Sequence, residues 1–169
     1  MKIVLIGYMA SGKSVVGKLL SSKMNIDFVD LDAYIENQEK MYIANIFSKK
    51  GEIYFRKIES LYLDKLLKAD KNYIISTGGG TPCYGNNLKE IKSSAISIYL
   101  KASINVIYNR LLHESEQRPI VSEIPKNKLE EFIAKHLFER RSFYEQSNFT
   151  VDVNDKTIDE IIIEIMRLV

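Results

Sequence analysis

The sequence holds no tryptophan, three prolines and one cysteine, Cys83, in 169 residues. A single thiol cannot close an intrachain disulfide, which excludes a disulfide-stapled fold and suits a reducing compartment. Cys83 therefore reads as a free structural thiol. No charge of one sign dominates either, since 24 basic residues stand against 22 acidic ones, for a formal net charge of +2. A nucleic-acid binder carries a stronger or more segregated basic excess, so no nucleic-acid partner is expected. Long apolar runs are missing as well. Ile3-Val4-Leu5-Ile6 is far too short to span a bilayer. Gly7 interrupts it and no small-residue cleavage site follows. A cytoplasmic protein without a membrane partner is the expectation, and neither repeat, low-complexity tract nor linker divides it.

What is present is a globular balance, 46% hydrophobic and 27% charged. The length predicts one domain over residues 1–169 with a sizeable core. Five short runs rich in β-branched residues predict strands at 3–6, 26–31, 73–77, 95–100 and 149–153. Several are apolar almost without alternation, as in a parallel sheet covered on both faces. Helical spacing fills the gaps. Val15, Val16, Leu19 and Leu20 pair at i and i+4, and Ile58, Leu61 and Leu66 belong to a longer helix. Thr157 and Glu160 form a capping box ahead of the stripe Ile158, Ile161, Ile162 and Ile165. Strands alternating with helices predict an α/β domain, a parallel sheet flanked by helices. One polar insertion, about 113–128 with Pro119 and Pro125, breaks the pattern. It is either a disordered loop or a lid over a site.

The first strand runs into Gly7-Tyr8-Met9-Ala10-Ser11-Gly12-Lys13-Ser14, which fits G-x-x-x-x-G-K-[ST] at every fixed position. Glycines let the backbone turn so that successive N–H groups, from Ala10 and Ser11 through Gly12, Lys13, Ser14 and Val15, surround a phosphate. The positive end of the next helix adds to the attraction. Lys13 is expected on the β- and γ-phosphates and Ser14 on Mg²⁺. The pattern lies between a strand and a helix, the context it requires, and implies a nucleotide without naming an acceptor.

Asp30 and Asp32 bracket Leu31 at the second strand's end, so alternation predicts both carboxylates on one face. One could hold Mg²⁺ and the other orient and deprotonate an attacking hydroxyl. The bland alternative, acids at a helix N-terminus, would explain Asp32 but not Asp30. Arg56 and Glu59 stand three apart and can pair, as on many helix surfaces. Gly78-Gly79-Gly80 ends the third strand and lets a ligand approach the backbone, unless it is merely a flexible turn. Arg118-Pro119 lies in the insertion, and Arg140-Arg141 precedes Tyr144 on a later helix.

The ordered set of P-loop, Asp30-Leu31-Asp32 with Ile35-Glu36, Phe55-Arg56 with Glu59, the triple glycine, Arg118-Pro119 and Arg140 with Tyr144 resembles the shikimate kinase family. The likeness runs from residue 7 to 144. It implies a P-loop fold of nucleoside-monophosphate-kinase type with a five-stranded sheet and a lid. It also implies ATP-dependent phosphorylation of shikimate to shikimate 3-phosphate, a step of the aromatic amino acid pathway. By resemblance Lys13, Asp32 and Arg118 are catalytic, and the cradle with Arg118 binds ATP. Asp32, Arg56, Gly78, Gly79, Gly80 and Arg140 bind shikimate, Ser14 and Asp30 hold Mg²⁺, and a monomer is expected. The family's R-x-P-x-Y lacks its proline here, and the four-residue spacing to Tyr144 favours Arg140 over Arg141. Lys156 corresponds to the adenine-side loop. Arg110 reads as a solvated helix charge, with reach to the nucleotide as the alternative, and His113 and His136 read as surface or helix-packing residues.

A gluconate or nucleoside-monophosphate kinase is the nearest rival. A monophosphate acceptor would call for more basic residues on the acceptor side, and a neutral sugar would not need an arginine pair. A nucleotide-binding regulatory module would not need an acceptor-orienting acid.

Overall fold

The computed structural model describes residues 1–114 and 124–169. Strand β1 (Lys2–Ile6) lies at the centre of a five-stranded sheet ordered β2-β3-β1-β4-β5, and every pairing is parallel. Its neighbours are β3 (Tyr73–Ser76) and β4 (Ile96–Lys101), with β2 (Asp27–Asp30) and β5 (Phe149–Asp152) at the edges. Ile3 to Ile6 are fully buried because helices cover both faces, which is why this run shows no polar alternation. The five expected strands all form, shifted at their ends by a residue or so.

Helix α1 (Lys13–Met24) packs under the sheet through Val16 and Leu20, while Val15 and Leu19 stay exposed. Only one of the two i, i+4 pairs is core. Its contact with β2 is close: a Cβ on Gly17 would stand 2.4 Å from Phe28 Cε2. Helix α2 (Leu31–Glu39) follows β2 without a linker, and α3 (Ile43–Lys68) returns along it. Gly51 breaks α3 with φ 80° and ψ 168°, outside helical space and with φ in the range that favours glycine. Within α3, Ile58 and Leu66 are buried and Leu61 is exposed.

Helix α4 (Asn87–Ser94) precedes β4, and α5 (Ile104–Glu114) follows it. Then come α6 (Lys126–Tyr144), β5 and α7 (Ile158–Leu168). Thr157 and Glu160 make the expected capping box; Ile161, Ile162 and Ile165 are core, and Ile158 is an exposed rim residue. Both ends of the insertion are helical, since α5 takes His113 and Glu114 and α6 takes Lys126 to Lys128. Arg118 and Pro119 lie outside the described residues. Among the described residues, no helix is long and apolar enough to cross a membrane.

Parallel pairing points the carboxyl ends of β1, β2 and β3 at the same edge, the place where such sheets bind ligands. In register, Asp30 stands opposite Ser76.

Candidate active site

The loop between β1 and α1 turns through Ala10 (φ 58°) and Gly12 (φ 99°), so α1 begins at Lys13 with its N-terminus facing the edge. Lys13 Nζ donates to the carbonyls of Gly7 at 2.9 Å and Tyr8 at 2.8 Å, which holds the buried ammonium across the loop. Arg110 is not a solvated charge. Its Nη1 donates to Ala10 O at 2.9 Å from α5 and braces the loop from outside.

Ser14 Oγ donates to Asp30 Oδ2 at 2.7 Å and lies 3.4 Å from Ser76 Oγ. Asp30 Oδ1 accepts from the backbone N–H groups of Asp32 (3.1 Å) and Ala33 (3.4 Å). Asp30 is thus the N-cap of α2, and Asp32 sits in that helix's first turn. The two acids converge through a cap rather than through strand alternation, because β2 stops at Asp30. The capping reading left Asp30 unexplained in the sequence; the structure explains it by its two oxygens, one for the helix and one for Ser14. Among the described residues no three His, Cys, Asp or Glu groups gather around a metal site. A hydroxyl and a carboxylate are hard oxygen donors, and they fit a Mg²⁺ ion that draws most of its ligands from water and phosphate.

Across the cleft, Arg56 Nη1 donates to Glu59 Oε2 at 2.9 Å, and Thr81 Oγ1 donates to Glu59 Oε1 at 2.7 Å. Glu59 is only 1% exposed, so this is a buried ion pair and not a surface one. The triple glycine is the floor beneath it. A Cβ on Gly80 would stand 2.7 Å from Arg56 Nη2, and one on Gly79 would stand 3.5 Å from Arg140 Nη1. Tyr144 OH donates to Gly79 O at 2.6 Å, which pins that floor to the end of α6. Burial pushes the Asp32 carboxyl up to about 6, and the nearby Asp30 and Glu59 carboxylates add to this against the pull of Lys13.

One cleft of ≈ 740 Å³ is lined by Ala10 and the Ser11–Val15 segment, by Asp30, Asp32 and Glu59, and by Arg56, Gly78, Gly79, Gly80 and Arg140. Lys156 also lines it, and its Nζ donates to Glu164 at 2.6 Å. Arg140 and Arg141 part company. Arg141 is exposed and pairs with Glu145 at 2.5 Å, whereas Arg140 faces the cleft beside the Tyr8 ring, 5.9 Å from its centroid. His136 is more than a helix-packing residue. It lines the cleft one turn before Arg140, with Nδ1 3.3 Å from Tyr8 OH. Its spacing to Arg140 was readable in the sequence. The burial of Glu59 and the bond from Arg110 to the loop carbonyl were not, since both depend on tertiary contacts.

The shikimate kinase family model matches residues 9–169. The shikimate kinase of Flavobacterium johnsoniae is 45% identical over 168 residues, 99% of this chain and 98% of that protein. Among solved structures, the shikimate kinase of Bacteroides thetaiotaomicron superposes with a TM-score of 0.93 at 31% identity, covering 99% of this chain and 97% of that one. The Acinetobacter baumannii shikimate kinase, solved in complex with shikimate, gives 0.89 at 27% identity and covers 99% and 91%.

Proposed function

The chain belongs to the shikimate kinase family, and from that premise we propose that it transfers the γ-phosphoryl of ATP to a hydroxyl of shikimate, forming shikimate 3-phosphate and ADP. One observation carries the reading: a phosphate cradle, a proton-accepting acid and two arginines line a single cleft. The cradle backbone and Lys13 bind the β- and γ-phosphates. Arg56 and Arg140 hold the shikimate carboxylate, a planar anion that guanidinium groups match well. Gly78, Gly79 and Gly80 let the ring approach the backbone.

Asp32 receives the proton as the hydroxyl oxygen bonds to phosphorus and the bond to the ADP oxygen breaks. A carboxyl pushed up to about 6 is a stronger base than an ordinary one and is still ionised at neutral pH. Ser14 and Asp30 would hold Mg²⁺, which, when bound, neutralises charge on the phosphates. Arg118, in the insertion read as a lid, would bring a further positive charge to them. Since phosphoryl transfer asks little covalent chemistry of the protein, positioning and electrostatics supply most of the acceleration. A single cytoplasmic domain acting as a monomer completes the proposal.

The test is a coupled assay of ADP release with shikimate, gluconate and a panel of nucleoside monophosphates. Shikimate should be the one efficient acceptor. Preference for gluconate or a nucleotide would move the protein to the rival class, and no turnover with any of them would leave a binding module.

A further inference from the structure

Two glutamates of α2 hold α3. Glu36 Oε1 accepts from Ile43 N at 2.9 Å, at the first residue of α3. Glu39 is reached from both sides of the break at Gly51. Lys50, just before the break, donates to Oε2 at 3.3 Å. Tyr54, just after it, donates to the same oxygen at 2.8 Å, and Tyr62 donates to Oε1 at 2.8 Å. Lys50 Nζ also lies 3.1 Å from Tyr54 OH, so the knot closes on itself. The Glu39 side chain is 12% exposed, well shielded for a carboxylate. The tyrosine hydroxyls hold its carboxyl below the usual range, so it stays ionised.

Gly51 itself is unconfined, since a Cβ there would meet nothing within 4 Å. Across the bend the rings of Phe47 and Phe55 pack with centroids 4.6 Å apart. The polar knot adds a second tie between the limbs and fastens both to α2. Each tied segment carries part of the acceptor half of the cleft: α2 carries Asp32, the first limb of α3 carries Ile43 and Phe47, and the second carries Phe55, Arg56 and Glu59. Glu39 itself does not line the cleft.

We propose that Glu39 is a positioning residue for the acceptor, its carboxylate setting the angle between the limbs of α3 and hence the placement of Asp32 relative to Arg56 and Glu59. This rests on the acceptor half assigned above. The phosphate cradle is built on β1 and α1 and braced from α5, and none of the knot's residues belongs to it, so loss of Glu39 should act mainly on the acceptor.

The test compares Glu39→Ala, Glu39→Gln and the Tyr54→Phe/Tyr62→Phe pair with wild type, at a temperature where circular dichroism shows each folded. Glu39→Ala should raise KM for shikimate about tenfold, the loss expected for hydrogen bonds to a charged group, while KM for ATP stays within about twofold. Glu39→Gln keeps one acceptor oxygen and should recover part of the loss. The double phenylalanine variant keeps both rings, and should reproduce the selective rise even if Glu39→Ala fails to fold. A lower Tm with both KM values unchanged, or an equal rise in both, overturns the proposal. If wild type turns over a different acceptor, the shikimate reading alone falls, and the KM split measured with that acceptor decides the role of Glu39.

Discussion

Asp32 and Glu59 face the same side of Gly78: a Cβ on that glycine would meet Asp32 Oδ1 at 3.3 Å and Glu59 Oε1 at 3.4 Å. Their surroundings divide the labour. Glu59 is answered by Arg56 and Thr81, whereas Asp32 has carboxylate neighbours and, among the described residues, Lys13 in opposition. Two carboxylates in contrasting environments are a sign of separate roles. Here the compensated one anchors an arginine and the uncompensated one is the candidate base.

It follows that kcat/KM for shikimate should fall tenfold per pH unit below about 6 and level off above it. Asp32→Asn should lose most turnover and flatten this limb, while still binding ATP. A limb below pH 5 that survives in the variant would place the essential proton elsewhere.

Stability should move the other way. The folded protein favours the neutral Asp32 acid, an advantage that is complete below the ordinary value of 3.8 and lost as pH rises through about 6. Asp32→Asn stays neutral at all pH, so at pH 8 it should be more stable than wild type by at most about 3 kcal/mol. At pH 4 the gap should nearly close. Thermal melts at the two pH values check it, and a variant that is less stable at pH 8 would contradict the burial of Asp32.

Much of this arrangement was legible in the sequence. The strands, the cradle and the capping box of α7 are local patterns, and local patterns fix their own structure. The convergence of Asp30 and Asp32 was foreseen for the wrong reason. Whether a residue ends a strand or caps a helix depends on where the chain turns, and an apolar Leu31 suits either, here as a fully buried first residue of α2. The knot at Glu39 had no sequence signal, because Tyr54 and Tyr62 lie 15 and 23 residues away and meet it only after α3 folds back along α2.

Two glycines should respond differently to alanine. At Gly17 the new methyl meets a Phe28 ring packed between helix and sheet, so Gly17→Ala should cost about 1–3 kcal/mol of stability. Kinetic constants measured well below its Tm should barely change. At Gly80 the obstacle is the end of the flexible Arg56 side chain, which can swing aside. Gly80→Ala should therefore raise KM for shikimate, and it should lower Tm as well, because the buried Glu59 loses the guanidinium that answers it. An unchanged KM for shikimate in Gly80→Ala would deny Gly80 its part in seating Arg56.

Asp30 should tolerate amidation as a cap and not as a metal ligand. Asparagine caps helices about as well as aspartate, so Asp30→Asn should keep the α2 N-terminus and its Tm. It should nevertheless need a higher Mg²⁺ concentration for half-maximal activity, since the oxygen charge beside Ser14 is gone. Titrating Mg²⁺ in wild type and variant tests this. An unchanged midpoint would remove Asp30 from the metal site.

The two adjacent arginines offer the sharpest test of the acceptor. Arg140 lines the cleft above Gly79, while Arg141 is exposed and tied to Glu145. Arg141→Ala should leave kinetics and stability nearly unchanged, since exposed pairs contribute about 0–1 kcal/mol. Arg140→Ala should lower kcat/KM for shikimate about tenfold or more, the loss expected for charge-assisted hydrogen bonds worth about 1.5–3 kcal/mol each. Arg56→Lys should also weaken shikimate binding although the charge is kept, because an ammonium cannot reproduce the planar fork of a guanidinium. Affinity for ATP alone should hold in all three. A shikimate analogue without the carboxylate separates binding from support. It should be a poor acceptor for wild type and lose little more in Arg140→Ala. If the analogue suffers the same loss as shikimate, Arg140 is bracing Tyr8 and the glycine floor, and the acceptor carboxylate is held by something else.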